Sequence, residues 1–219
     1  MSDFQRARRT MVDNQLRTSG ITDRRLLAAM GQVPRELFVP ETRRTLAYID
    51  EAHPLPGPSG RAMAAPAPFA KLVQLAGIDE DDAVLDIGTG HGYSAAVLAR
   101  LANRVVAVES DPELVRVARE TLGSLGGANI TLVEAPLDAG APEHGPYDAI
   151  VIEGAVVSVP QALFDQLGDG GRLVALIRTG AAPVATLYVR SGERVAARPE
   201  FNTSLPPLTS ERPVEKFVF

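Results

Sequence analysis

The sequence predicts an α/β protein of the Rossmann-like class: a mostly parallel sheet of about seven strands with helices on both faces, plus an N-terminal helical extension. Two observations support this prediction. From residue 83 onward, short apolar runs alternate with helical patterns, and strands that are apolar throughout are typical of parallel sheets covered on both faces. The first of these runs also leads into a glycine-rich loop that opens a helix.

The length and composition fit one folded unit. The chain has 219 residues, of which 45% are hydrophobic and 22% are charged, and this is enough for a single α/β domain with a sizeable core. We therefore interpret residues 1–219 as one domain. Residues 1–80 would supply the N-terminal helices and a loop that covers the substrate, and residues 81–219 the Rossmann-like core.

The N-terminal third reads as helices joined by irregular segments. Residues 3–18 and 22–31 have helical patterns separated by Ser19-Gly20, and residues 33–40 are predicted to be extended between prolines. Prolines at 54, 56, 58, 66 and 68 exclude regular structure over residues 50–68. A long ordered loop of this kind is often functional. A helix is predicted to follow at about 67–77.

The remainder alternates between strand and helix. The helices are predicted from the glycine loop to about residue 102, from Asp111-Pro112 onward, and over 160–167. The strands are predicted at 83–87, 104–108, 129–133, 147–152 and 172–177, with further, partly antiparallel strands at 184–190, 194–201 and 213–219.

Charge and composition narrow the partners. The net charge is −5, whereas nucleic-acid binders usually carry a strong positive field, so no nucleic-acid partner is predicted. No stretch approaches the roughly 20 apolar residues that a membrane span requires, so no membrane partner is predicted either. The sequence has no cysteine and three histidines, none paired at metal-ligand spacing. We therefore predict no metal and a cytoplasmic location.

The glycine loop is the most informative segment. It reads Gly88-Thr89-Gly90-His91-Gly92 between a strand and a helix, where glycines allow a sharp turn and let a ligand lie against the main chain. The spacing is G-x-G-x-G, which differs from the G-x-G-x-x-G of dinucleotide sites.

Two acidic residues accompany this loop. Asp86 ends the preceding strand, where a carboxylate repels a pyrophosphate and suits a cationic amino-acid group. Glu109 ends the next strand, 17 residues after Gly92, where an acid can accept hydrogen bonds from both ribose hydroxyls. The combination predicts an S-adenosylmethionine site in a methyltransferase fold, held by Asp86, Gly88, Thr89, Gly90, Gly92 and Glu109. Either Glu134 or Asp138 could bind the adenine amino group, and Glu134 is the first choice for this contact.

With these residues in view, the chain resembles the protein-L-isoaspartate O-methyltransferase family over about residues 8–178. The matching segments are 11–17 (MVDNQLR), 20–23 (GITD), 33–41 (VPRELFVPE), 47–50 (AYID), 54–56 (PLP), 86–93 (DIGTGHGY), 95–99 (AAVLA), 146–151 (PYDAIV) and 170–174 (GGRLV). The resemblance implies a cytosolic repair enzyme that methylates the α-carboxylate of L-isoaspartyl residues in a protein or peptide substrate. In such a transfer the positioning of the reactants supplies most of the catalysis.

The sequence departs from the family at the substrate side. The family's Thr-Ile-Ser-Gln-Pro loop aligns with residues 62–66 (AMAAP), so Ala64 replaces the serine hydroxyl. Ser59, five positions upstream, is a possible replacement for that hydroxyl. A Thr-Ala-Ala run becomes 153–155 (EGA), which places Glu153 in the substrate pocket, and the family's Gly-Asp-Gly aligns with 135–137 (APL).

Three hypotheses therefore stay open. The chain is an isoaspartyl methyltransferase whose acceptor site includes Ala64, Ser59 and Glu153. Alternatively, it methylates a different acceptor with Glu153 as general base, or it is a family member that works through protein contacts without catalysis. His91 is interpreted as a tolerated polar residue at the helix start, and His53 as a residue that lines the cleft. The oligomeric state is left open.

Overall fold

The computed structural model describes residues 3–180 and 182–208. The strand predicted at 213–219 lies outside these residues. Within the described ranges, no helix combines the length and the apolar character needed to cross a membrane.

The N-terminal extension is helical, as predicted. Helix α1 (Asp3–Met11) continues through a π-helical turn and a 3-10 turn and ends at Gly20, whose φ of 87° is readily adopted only by glycine. Helix α2 (Arg24–Gln32) begins at Asp23, whose side chain accepts hydrogen bonds from the backbone N–H groups of Arg25 and Leu26.

The extended conformation expected for residues 33–40 is wrong. The chain forms a 3-10 turn at Arg35–Leu37 and a second at Glu41–Leu46. The reason is a tertiary contact: the Arg35 side chain is fully buried and donates to the carbonyl oxygens of Ala47 (2.7 Å) and Ala64 (2.5 Å). Pro34 and Pro40 limit the local backbone, but this long-range contact determines the path between them.

The expectation of no regular structure over residues 50–68 is wrong in part, because a short hairpin lies inside the segment and a helix begins at Pro66. Strand β1 (His53–Pro54) pairs antiparallel with β2 (Ala62–Met63), and residues 55–61 join them. Helix α3 (Pro66–Ala76) follows, with proline at its first position, and it ends at Gly77 with φ of 58°.

The core is a seven-stranded sheet of order β5-β4-β3-β6-β7-β8-β9. The first five of these strands in spatial order are parallel, and β8 and β9 add antiparallel to the edge, so the predicted fold class is confirmed. The strands are β3 (Ala83–Ile87), β4 (Arg104–Glu109), β5 (Ile130–Glu134), β6 (Tyr147–Val156), β7 (Leu167–Ile177), β8 (Val184–Ser191) and β9 (Arg194–Asn202), and the helices between them are α4 (Tyr93–Leu98), α5 (Pro112–Ser124) and α6 (Gln161–Asp165).

Three boundaries differ from the prediction by four residues or more. Helix α4 ends at Leu98, strand β7 begins at Leu167, before its glycines, and β6 runs four residues further than expected. The pairing of β6 with β7 shifts register between Val151 and Ala155, which places Glu153 in a bulge. Bulges often redirect a side chain next to a functional site.

The two faces of the sheet bury separate apolar clusters. The larger one joins the N-terminal helices, α3 and α4 to the sheet, and the smaller one lies beneath α6. Strand β3 lies between β4 and β6, and the chain connections leave it in opposite directions. In such sheets ligands bind in the crevice at the carboxyl ends of the central strands, which is where the glycine loop lies.

Candidate functional site

The glycine loop is held tightly to the sheet. Gly88, Gly90 and Gly92 have φ values of 85°, 58° and 93°, which residues with a Cβ rarely adopt. The backbone N–H of Gly88 donates to the carbonyl oxygen of Val108 at 2.8 Å. A Cβ on Gly90 would lie 2.7 Å from Leu55 Cδ1. The loop is therefore a bare main-chain surface that closely approaches the segment above it.

Asp86 provides a buried carboxyl group below this loop. Its Oδ2 accepts a hydrogen bond from Ser94 Oγ at 2.7 Å, and its Oδ1 has no hydrogen-bond partner within the described residues. Burial raises the pKa of Asp86 to about 7, against the opposing effect of the Ser94 hydrogen bond. An unpaired buried oxygen beside a glycine loop is what a bound ligand cation or hydrogen-bond donor would satisfy.

Glu109 ends β4 on the other side of the loop and is fully buried. Its Oε1 accepts from the backbone N–H groups of Ser110 (2.8 Å) and Asp111 (3.2 Å), and its Oε2 accepts from that of Gly90 (2.9 Å). These donors orient the carboxylate beside the glycine loop.

Arg61 is the functional candidate that the sequence analysis missed. Its side chain is 5% exposed and ion-pairs with Glu109, with 3.3 Å between Nη2 and Oε2. It also donates from Nη1 to the carbonyl oxygen of Leu208 at 3.0 Å and from Nη2 to that of Gly88. A signal was present, because Arg61 is the only Lys or Arg between residues 50 and 68.

A small inner pocket lies between the glycine loop and the β1–β2 hairpin. Its volume is about 20 Å³, enough for about one water molecule. It brings together Ala64 and Glu153, as the sequence predicted, with Thr89 of the loop. It is lined by Leu55, Ala62, Met63, Ala64, Phe69, Gly88, Thr89, Gly90, Tyr93, Ser94 and Glu153.

Glu153 is the unusual group in the inner pocket. Its Oε1 is buried and has no hydrogen-bond partner within the described residues. Burial raises the pKa of Glu153 well above its usual range, and nearby Asp86 raises it further. The environment favours the protonated acid, which suits a hydrogen-bond donor better than the general base of the second hypothesis.

A larger outer cleft adjoins the inner pocket. Its volume is about 550 Å³, in the range of small-molecule sites. Ser59 lies here and does not line the inner pocket with Ala64, so it would need loop movement to replace the missing hydroxyl. Of the two adenine candidates, Asp138 lines the cleft, whereas Glu134 is exposed at the end of β5 and does not.

Neither His91 nor His53 lines the inner pocket or the outer cleft. His91 is buried and its Nδ1 is 2.9 Å from the carbonyl oxygen of Phe38, consistent with a packing role at the helix start. His53 is buried in the hairpin opposite Met63 and lines neither pocket, so its expected place in the cleft is wrong. Burial lowers the pKa of His53 to about 4, which keeps it neutral at physiological pH.

The residues present fit an S-adenosylmethionine molecule. Two acidic groups flank a main-chain cradle, one of them with an unpaired oxygen, and an open cleft extends toward Asp138. Leu208 and Arg61 lie against the cradle, since a Cβ on Gly88 would be 2.5 Å from Leu208 Cδ1 and closer still to Arg61. A ligand on Gly88 must therefore displace these two side chains.

The parallel sheet, the G-x-G-x-G loop and the acids on two adjacent strands define an S-adenosylmethionine-dependent methyltransferase. The family model of protein-L-isoaspartate(D-aspartate) O-methyltransferases matches residues 6–212. The chain belongs to this family, as the sequence motifs indicated.

Relatives and solved structures agree with this assignment. A protein-L-isoaspartate O-methyltransferase of Methanoculleus marisnigri is 46% identical over 170 residues, covering 78% of this chain and 76% of the relative. Another, of Gloeobacter violaceus, is 39% identical over 206 residues, covering 94% and 100%. A solved protein-L-isoaspartate O-methyltransferase is 27% identical with a TM-score of 0.80, over 91% of this chain and 65% of that one.

A second solved structure bears on the fold. It comes from Plasmodium falciparum, is described as a beta-aspartate methyltransferase and contains S-adenosyl-L-homocysteine. Its TM-score is 0.76 over 93% of this chain and 99% of that one, at 20% identity.

Proposed function

We propose that this chain transfers a methyl group from S-adenosylmethionine to the carboxylate of an isoaspartyl residue in a protein or peptide. Family membership supports the reaction. The observation that carries it to this site is the inner pocket, in which Ala64 and Glu153 lie directly against the glycine loop. The pocket has room for about one water molecule, so an acceptor carboxylate must widen it to reach the loop.

The cofactor would lie across the loop. Glu109, held by three backbone N–H groups, would accept hydrogen bonds from the ribose hydroxyls, and the unpaired Oδ1 of Asp86 would face the amino-acid end. Gly88, Thr89, Gly90 and Gly92 would supply the main-chain surface. At the adenine end, the cleft lining favours Asp138 over Glu134.

Positioning would supply most of the catalysis. When bound, S-adenosylmethionine supplies a methyl group activated by a positive sulfonium, and a carboxylate oxygen forms the new C–O bond as the C–S bond breaks and its electron pair stays on sulfur. The chain's part is to align the acceptor and exclude water. The apolar side chains of Leu55, Met63 and Phe69 line the inner pocket and would exclude water from it.

Glu153 would help to hold the acceptor. A protonated carboxyl can donate a hydrogen bond to one oxygen of the acceptor carboxylate while the other oxygen reacts. This role replaces the hydroxyl that Ala64 lacks, and it removes the repulsion that an ionised Glu153 would exert. Ser59 stays a weaker candidate because it lies in the outer cleft.

The remaining expectations belong to this proposal. The acceptor is a protein or peptide. The net charge of −5 disfavours a nucleic-acid partner, because nucleic acids are themselves negatively charged. A cytoplasmic location follows from the repair role that the family resemblance implies.

The direct test is methyl transfer from labelled S-adenosylmethionine to an isoaspartyl peptide, with the normal aspartyl peptide of the same sequence as control. We expect label in the isoaspartyl peptide alone, released on mild base treatment as a carboxyl methyl ester is. Equal labelling of the two peptides, or none with the cofactor bound, would contradict the proposal.

A matched variant pair sharpens the test. Ala64→Ser restores the hydroxyl that the aligned family loop carries, and Ala62→Ser adds the same hydroxyl two residues away in the same pocket. We expect only Ala64→Ser to raise turnover. A gain with both variants or with neither would count against the place assigned to Ala64 beside the acceptor.

A further inference from the structure

The inner pocket lacks a cation for the acceptor it would bind. Among the described residues that line it there is no Lys, Arg or His, and the one carboxylic acid is Glu153. A carboxylate that leaves water for such a pocket needs a paired charge, because the desolvation of an unpaired ion is costly. Some cation outside the lining must therefore reach the acceptor.

Arg61 lies beside this pocket and lines the adjoining outer cleft. Its chain neighbour Ala62 lines the pocket, and so does Gly88, whose carbonyl oxygen accepts from Arg61 Nη2. The positive charge of Arg61 acts to lower the pKa of both Asp86 and Glu153, so its field already reaches Glu153 in the pocket and Asp86 beside it. A guanidinium also presents two parallel N–H donors, which match the two oxygens of a carboxylate.

The present partner of Arg61 is the group that the cofactor needs. Glu109 Oε2 accepts from the backbone N–H of Gly90 and from Arg61 Nη2, and one carboxylate oxygen has about two acceptor sites. Ribose hydroxyls that bind this oxygen must replace Arg61. The guanidinium, which is 5% exposed, then loses the one carboxylate partner that it has among the described residues.

Among the described residues, Arg35 is the other buried cation near the pocket, and its Nε and Nη2 donors already have partners. It donates to the carbonyl oxygens of Ala47 and Ala64 and lies over the ring of Tyr93, with 4.7 Å from its Cζ to the ring centroid. It holds the backbone next to strand β2 through the Ala64 carbonyl oxygen and does not line the pocket.

We propose that Arg61 binds the acceptor carboxylate, and that ribose hydroxyls replace it on Glu109 when the cofactor binds. This inference rests on the proposed function. Before the cofactor binds, Glu109 neutralises Arg61; afterwards, the acceptor does so. The acceptor site is therefore completed by the cofactor, and binding is ordered with the cofactor first.

The test separates the two halves of the proposal. Arg61→Gln removes the charge, and Arg61→Lys keeps the charge but lacks the two parallel N–H donors of a guanidinium. Arg194→Gln, on the exposed strand β9, is the control. S-adenosyl-L-homocysteine binding is measured by calorimetry without an acceptor. We expect Arg61→Gln to bind it several-fold more tightly, because no ion pair has to break. Weaker binding would make Arg61 a cofactor ligand and overturn the exchange.

The second half uses an isoaspartyl peptide on protein saturated with S-adenosyl-L-homocysteine, together with KM and kcat. We expect Arg61→Gln to weaken peptide binding and raise KM by roughly 10- to 100-fold, with Arg61→Lys between it and wild type and kcat less affected. Unchanged peptide binding in Arg61→Gln would overturn the acceptor role. If wild type itself binds no isoaspartyl peptide, the proposed function and the acceptor role fail together, and the calorimetry alone decides the exchange.

Discussion

Glu109 offers the sharpest test of the cofactor site. The carboxylate is fully buried, and three backbone N–H groups and Arg61 point at it. Glu109→Gln keeps the shape and one acceptor oxygen and removes the charge. We therefore expect the cofactor to bind more weakly in a protein that still folds.

The magnitude follows from the contacts. A hydrogen bond to a charged group contributes about 1 kcal/mol more than one between neutral groups, so two ribose hydroxyls lose about 2 kcal/mol. Part of this loss is offset because the ion pair with Arg61 no longer has to be broken, a gain of up to about 1 kcal/mol. The net loss is about 1–2 kcal/mol, or roughly five- to thirtyfold in Kd.

The assay is calorimetric titration with S-adenosyl-L-homocysteine, with thermal unfolding measured on the same samples. Glu120→Gln is the matched control, because Glu120 is exposed on α5 and contacts Arg116. Glu109→Ala is less suitable, since it leaves the N–H groups of Gly90, Ser110 and Asp111 all without an acceptor, at about 1–3 kcal/mol each, whereas the amide oxygen of Glu109→Gln still accepts on one side. A Glu109→Gln protein that is folded and has the wild-type Kd would refute the assignment of Glu109 to the ribose.

Three further predictions concern the loop and its surroundings. Gly88→Ala should lower the free energy of unfolding by about 1–2 kcal/mol, because the φ of Gly88 is 85°, and it should also weaken cofactor binding. The control Gly192→Ala, with φ of 58° and open space around it, should lower stability without changing cofactor binding. Equal cofactor affinities in the two variants would contradict the role of Gly88 in the cofactor site. Burial raises the pKa of Asp86 to about 7 from an ordinary 3.8, so between these values the folded protein keeps a proton that the unfolded chain releases, and stability falls as pH rises, by up to about 1.4 kcal/mol per unit. Urea unfolding at several pH values should show a shallower decline for Asp86→Asn, and an identical slope would count against the raised pKa. Arg35→Leu should destabilise the fold by about 2–5 kcal/mol in thermal or urea unfolding, because the buried carbonyl oxygens of Ala47 and Ala64 lose their donor. The control Arg44→Leu removes a half-exposed ion pair and should change the free energy of unfolding by no more than about 1 kcal/mol. A similar loss of stability in both variants would refute the structural role of Arg35.

Much of the fold could be predicted from sequence because its signals are local. Strand β3, the loop 88–92 and helix α4 follow one another within 16 residues, from Ala83 to Leu98, and a positive φ at a glycine depends on its own backbone. The acids at the ends of β3 and β4 could be predicted for the same reason, since parallel neighbouring strands bring their carboxyl ends together.

The errors occurred where distant contacts decide the backbone. Residues 33–40 looked extended between prolines, but the buried Arg35 side chain holds a 3-10 turn there by bonding a carbonyl 29 residues away. His53 looked like a cleft residue in a polar loop, but the hairpin pairs it with Met63 and buries it. No periodicity in either segment reports such a contact.

The sequence by itself determined the class of sheet, the glycine loop and the two acids, because each depends on residues close together in the chain. Only the tertiary structure brought Arg61 to Glu109, 48 residues away, and to Leu208, 147 residues away. It also placed Glu153 in a bulge of β6, where burial raises its pKa. The burial of a group and the electrostatic field at it depend on all the residues that surround it in space, whereas the sequence shows only its neighbours along the chain.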